Sequence, residues 1–195
     1  MEKIIQDQID LAKAATEGFS KTLLTQPSAE DLARKKLMDW FSSRVGLTEE
    51  PVNKVVFNDW FYGKPVEGKS YAWCATFCCY GMAECGFPYP AMGWKHGFCS
   101  VPDYHKRMIQ SGHMTSDPKC MDDVIFDWEK DGADDHIGKF VKWEKHGESF
   151  WTIEGNTSFD EKGHQSRGGA VAMRLRKIGS VSGFVSVRHL LKIGA

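Results

Sequence analysis

No stretch of this chain approaches the ~20 consecutive apolar residues that a membrane-spanning helix needs, so membrane insertion is not expected. Its six cysteines include no C-x-x-C pair, and the adjacent Cys78 and Cys79 would point in different directions on a helix. The ligand spacing of a zinc site is therefore missing, and neither a metal nor another cofactor is expected. An excess of positive charge is also absent: the formal net charge is -1, which argues against a nucleic-acid binder that neutralises phosphates with a basic face. There is no internal repeat and no low-complexity linker. The opening segment, MEKIIQDQIDLAKAATEG, is interrupted by acids where a signal peptide needs its apolar centre, so synthesis in a cytoplasm is expected. In that reducing compartment, six thiols in a chain of 195 residues do not read as a disulfide framework.

What is present is an ordinary globular composition, 42% hydrophobic and 26% charged, enough for one domain with a real core. Charge is uneven along it. Residues 137–195 hold 10 basic and 5 acidic side chains, which we read as the solvated edge of a sheet, since Lys and Arg protect exposed strands. Apolar spacing predicts a helix over residues 4–23, and Ser28-Ala-Glu-Asp31 resembles a capping box opening a second helix that reaches Gly46. Thr48-Glu-Glu-Pro51 reads as the start of a third, running to the turn at Gly63. A fourth runs from Cys74 to Gly86, with Cys74, Cys78, Gly81 and Cys85 as a face of small groups lying close against a sheet, and a fifth follows Ser100. Strand patterns come next, at 124–126, 137–143, 150–153, 170–175 and 183–187. Helices first and strands after predict an α+β fold with an antiparallel sheet. The expected division is a helical amino-terminal extension, residues 1–46, and a catalytic domain, residues 47–195.

The chemistry concentrates in SYAWCATFCCYGMAECG, residues 70–86. A cysteine in the first turn of a helix sits among free N–H groups and at the positive end of the dipole, both of which favour the thiolate. Cys74 alone clearly holds that position. His136, at the opening of a strand in DDHIGKFVKW, is the candidate base. Glu154 and Asn156 in WTIEGNTS differ by two and so share one side of an extended chain, which makes both candidates to orient the imidazole, Glu154 first. Each residue alone has an ordinary reading, as core, solvated side chain or turn; the ordered set of Cys at a helix start, His at a strand start and an acid or amide on the next strand is that of papain-like hydrolases.

With NDWFYGKPVEGKSYAWCATFCCYGMAECG, CSVPDYHKRMIQSG, DDVIFDW, DHIGKFV, TIEGNTS and GGAVAMRLRKIGSVSGFVSV in this order, the chain from about Asn53 to Arg188 resembles the CHAP amidases and endopeptidases of phage lysins and bacterial wall hydrolases. The resemblance implies a papain-like CHAP fold and a hydrolase of bacterial peptidoglycan, with Cys74 as nucleophile, His136 as base, and Glu154 and Asn156 as the orienting pair. It departs from the family at Asp122, where Gly is common, and at Trp73, where some members carry a Gln that assists the oxyanion. Some members bind calcium upstream of the cysteine; here Asp59 and Glu67 are the only carboxylates over residues 58–73, too few for an oxygen cage. An endolysin would be made in the host cytoplasm and reach the wall through a holin-type lesion. The alternatives are a papain-like protease or transferase acting on protein, and an inactive CHAP-fold assembly module.

Overall fold

The computed structural model describes residues 1–23, 26–160 and 168–191. Among them are five α-helices, α1 (Glu2–Thr22), α2 (Ala29–Ser42), α3 (Val56–Tyr62), α4 (Cys74–Glu84) and α5 (Val101–Gln110). Six strands follow: β1 (Met114–Thr115), β2 (Asp123–Phe126), β3 (His136–Lys145), β4 (Ser149–Thr157), β5 (Ala170–Lys177) and β6 (Val181–Val185). They form one antiparallel sheet in the order β1-β6-β2-β3-β4-β5. The class is α+β.

The Ser28 capping box forms in both directions, with Ser28 Oγ accepting from the Asp31 N–H at 3.1 Å and Asp31 Oδ2 from the Ser28 N–H at 3.0 Å. One expected helix start is corrected. The third helix begins at Val56, not at Pro51, because the segment before it is engaged with the sheet: Leu47 O accepts from Val171 N–H and Glu49 N–H donates to Gly169 O. Together with Gln8 Oε1, which accepts from the Met173 N–H at 2.8 Å, this segment covers the outer edge of β5. The two-residue strand β1 had no pattern long enough to read.

Alternation divides the sheet into two faces. Ile125, Ile137, Val141, Ile153 and Met173 pack under the helices in the main core, whereas Val124, Phe126, Phe140, Phe150 and Phe184 form a largely aromatic cluster on the opposite face. Under the helices lies a buried polar network that sequence reasoning did not find. Lys139 Nζ donates to Asp123 Oδ1 at 2.6 Å, and the hydroxyls of Tyr89 and Tyr104 donate to the same carboxylate. All four side chains are buried, so each polar group is paired where water cannot reach it.

The boundary expected at residue 46 runs through the core. Leu37, Met38 and Phe41 of α2 are completely buried in the same cluster as Phe77 and Met82 of α4. Arg34 reaches Asp122 at 3.0 Å and the Cys120 carbonyl at 2.6 Å, and Asp122 accepts in turn from the Val187 N–H. Asp122, where the resembled family commonly has Gly, thus ties α2 to the sheet. The small face of α4 is also divided: the first half meets the sheet, but a side chain at Gly81 would strike the rings of Phe41 and Trp40, and Cys85 Sγ lies 3.7 Å from the Lys36 carbonyl. Gly81 and Cys85 therefore face α2. Removing three fully buried α2 side chains at about 2–5 kcal/mol each approaches the whole stability of a domain, about 5–15 kcal/mol. We expect deletion of residues 1–46 to give insoluble protein, checked by soluble yield and circular dichroism; a soluble, cooperatively melting product would contradict this packing.

Candidate active site

Trp73 takes the position before α4 without a side-chain cap, so the N–H groups of the first turn, beginning with Cys74, are not consumed by a capping oxygen. The entry to the helix is fixed from below. Asn58, completely buried on α3, donates to the carbonyls of Asn53 and Tyr71 and accepts from Thr76 Oγ1 at 2.7 Å, tying the residues before Cys74 to the helix after it. At Gly155 a Cβ would lie 2.7 Å from the Phe77 ring, so a glycine in β4 lets α4 lie directly on the strand.

His136 is the first residue of β3 and is fully buried. Its Nε2 lies 3.1 Å from Glu154 Oε2 on the neighbouring strand β4. Gly138 makes room for that pairing, because a Cβ there would stand 2.6 Å from Glu154 Cγ. Among the described residues Nδ1 has no well-aligned hydrogen-bond partner and is the nitrogen left to exchange a proton with Cys74, which couples to the ring by contact and charge. Such bonds commonly tighten only when substrate arrives. Cys74, 6% exposed, His136 and Glu154 are thus brought together.

Electrostatics favours the ionised pair. Burial pushes the Cys74 thiol up, but contact with His136, the charge on that ring and backbone groups of Ile137 and Ala75 together bring it below the ordinary thiol range. Burial likewise disfavours the His136 cation, and the contacts with Cys74 and Glu154 outweigh it, raising His136 to about 9. Glu154 would be raised by burial; the Arg176 guanidinium, helped by His136, holds it well below the usual carboxylate range.

Arg176 is the component that sequence reasoning missed. The basic segment was read as a solvated sheet edge, yet Arg174 and Arg176 are both buried. Arg176 grips Glu154 with two parallel bonds, Nε to Oε1 at 2.8 Å and Nη2 to Oε2 at 2.6 Å. Thr152 Oγ1 donates to Oε1 at 2.6 Å. The signal was the alternation R-L-R in residues 174–176, which puts both arginines on one face of β5, but nothing in the sequence showed which face is buried.

The pairing of Glu154 and Asn156 on one side of the strand fails on geometry. The register of β4 against β5 shifts between Glu154 and Thr157, one extra residue on β4, and Asn156 adopts a left-handed φ of 57°. Strict alternation ends there. Asn156 is buried beyond the bulge, its carbonyl accepting from the Gly168 N–H, while the observed carboxylate partner of His136 is Glu154. Trp73 is equally placed away from the chemistry, since its Nε1 donates to Glu49 Oε2 at 2.6 Å. Asp59, weighed for calcium, accepts from Lys54 Nζ and from the Val66 N–H.

In the other thiols burial outweighs the cations nearby. Burial raises Cys79 and Cys120 to about 12, Cys85 to about 11, and Cys78 well above the ordinary value. We therefore expect brief iodoacetamide treatment at a pH below the ordinary thiol range to place a single carbamidomethyl group on Cys74, read by peptide mass spectrometry. The sign follows from the two shifts: the thiolate–imidazolium pair exists above the lowered thiol pKa and below about 9. Reactivity should fall only when the pH drops through the lower limit. Labelling spread over several cysteines would refute the assignment.

No family model, curated protein or solved structure matches the chain. Among the described residues no helix is long and apolar enough to cross a membrane.

Proposed function

We propose that this protein is a cysteine-dependent hydrolase of bacterial peptidoglycan, an amidase or endopeptidase with a papain-like CHAP arrangement of its α+β fold. The observation that carries the reading is the Cys74 thiol at the start of α4 against His136, whose far nitrogen meets a carboxylate held by an arginine. The wall as substrate rests on the ordered sequence blocks that resemble those of CHAP enzymes.

In the reaction, His136 takes the thiol proton and the Cys74 sulfur attacks an amide carbonyl of the wall peptide, the π electrons moving onto oxygen. Collapse of that intermediate breaks the C–N bond, and His136 returns its proton to the departing amine. Water then adds to the thioester with His136 as base, releasing a carboxylic acid and restoring the thiol. Glu154 stays ionised throughout and stabilises the imidazolium, as Arg176 fixes its two oxygens in place. Peptidoglycan is the proposed partner, and the chain would act at the wall as an endolysin released by a holin-type lesion.

Loss of turbidity by purified sacculi tests this reading. Clearing by the parent protein supports it; intact sacculi alongside cleavage of unfolded protein substrates would replace it with a papain-like protease.

A further inference from the structure

We propose that Trp128 is a positioning residue of this site: the face of its indole covers the Arg176 guanidinium and keeps the clamp on Glu154 in line with His136. This rests on the reading of Cys74 and His136 as the reacting pair, not on the wall as substrate.

Alternation in Val124-Ile-Phe-Asp-Trp128 puts Val124, Phe126 and Trp128 on one side of an extended chain, the side away from the helices. Just past the end of β2 the loop is braced by its own acids. Asp127 accepts from the N–H groups of Lys130 at 2.6 Å and Gly132 at 2.9 Å, and Asp135 Oδ2 accepts from the Trp128 N–H at 2.8 Å. The indole therefore stays over the end of the strand, stacked on Phe126 with centroids 4.6 Å apart and planes at 10°. Its ring is placed by its face. Trp73 Nε1 and Trp151 Nε1 donate to Glu49 and Glu144, whereas Trp128 Nε1 is buried with no acceptor among the described residues, so no hydrogen bond of the ring accounts for where it lies.

What the face meets is the Arg176 guanidinium, whose carbon stands 4.7 Å from the indole centroid and 5.7 Å from that of Phe126. A guanidinium hydrogen-bonds only from its edge, and its weakly hydrated faces stack on aromatic rings. Here the edge is engaged by both oxygens of Glu154 and a face by the indole, which fixes the plane in which Arg176 grips the carboxylate. Trp128 is half-buried, while the Arg176 side chain is 8% exposed and those of Glu154 and His136 are sealed, so the indole is the part of this stack that meets solvent. The same ring lies 6.2 Å from that of His136, which meets Cys74 from α4 and Glu154 from β4. With the indole gone, Arg176 is free to turn and Glu154 no longer presents Oε2 squarely to Nε2. His136 then holds its proton less tightly, and the Cys74 thiolate loses part of the charge that stabilises it.

The test uses the full chain and reads Cys74 alkylation against pH, kcat and KM on sacculi, and the melting temperature. Trp128→Leu removes the flat ring; Trp128→Phe keeps one. We expect Trp128→Leu to lower kcat about tenfold with KM little changed, the size of effect a desolvated cation–π contact carries, and to move the lower pH limit of Cys74 reactivity upward. Trp128→Phe should restore most of both. Added to Glu154→Gln, Trp128→Leu should change neither any further, because a residue that acts through the carboxylate then has nothing left to align. If the leucine variant melts too low to assay, trifluorotryptophan at 128, introduced by genetic-code expansion, keeps the shape while weakening the ring face toward a cation, and should shift the pH limit in the same direction. A variant with a lower melting temperature but the parent's pH limit and kcat would overturn the proposal, leaving Trp128 a packing residue. Additive losses in the Glu154→Gln background, or a phenylalanine variant as impaired as the leucine one, would overturn it too. If Cys74 of the parent shows no reactivity below the ordinary thiol range, the reading of the reacting pair fails and this proposal with it; a reactive Cys74 beside intact sacculi overturns only the substrate, and the pH limit still tests Trp128.

Discussion

Cys74→Ser is expected to fold as the parent does and to lose wall cleavage completely. Serine is nearly isosteric, and the surroundings of the thiol, the first turn of α4 and the His136 ring, make no demand that a hydroxyl cannot meet sterically. What disappears is the chemistry. The site lowers a thiol from an ordinary value already near neutrality, whereas a hydroxyl brought down by a similar amount would remain protonated at any working pH. The measurement is turbidity loss of sacculi beside a thermal melt of the variant. Retained clearing by a folded Cys74→Ser protein would remove Cys74 from the mechanism.

The second large effect is expected at Glu154, where function and stability separate. Glu154→Gln keeps the volume and removes the charge, so the imidazolium loses its anion and the buried Arg176 loses its counter-ion. We expect turnover to fall by on the order of 10² or more, by analogy with other orienters of a catalytic histidine. Removing the anion of this buried pair should also destabilise the fold, by about 3–5 kcal/mol as when one partner of a buried ion pair is removed. Glu154→Gln combined with Arg176→Met removes both charges of the pair and should recover much of the stability while leaving the activity low. The alkylation profile gives an independent reading: without the carboxylate His136 holds its proton less tightly, the thiolate loses its partner, and reactivity below the ordinary thiol range should decline. An unchanged profile with near-normal turnover would make Glu154 structural.

The legible parts of this protein were those set by local rules. A capping box declared α2, a glycine with φ of 69° after Tyr62 declared the end of α3, and alternating apolar residues declared β2 to β6. The places of Cys74 at a helix start and of His136 at a strand start were readable because both are local features. The misreadings arose where a partner distant in sequence decides. Thr48 and Glu49 carry the composition of a helix start, but the open edge of β5 takes them into backbone pairing. Arg176 has the same composition as an edge lysine, and only the register that sets β5 beside β4 turns it into a clamp on Glu154. Asn156 was misplaced because a bulge changes which face a residue occupies, and one inserted residue leaves no mark in a nine-residue strand. The burial of α2 could not be read from its period alone, since an amphipathic stripe does not say whether the surface it meets is its own domain's.

The central claim is that Cys74 opens a peptide-type amide bond in the bacterial wall through a thioester. Mass spectrometry of fragments released from purified sacculi in the presence of hydroxylamine tests it directly, because hydroxylamine intercepts a thioester and leaves a hydroxamate on the acyl side of the cut. The account predicts fragments with a new free amine and a matching new hydroxamate at one bond, both absent with Cys74→Ser. Wall material that stays intact, or amines released without any hydroxamate and still formed by Cys74→Ser, would contradict it.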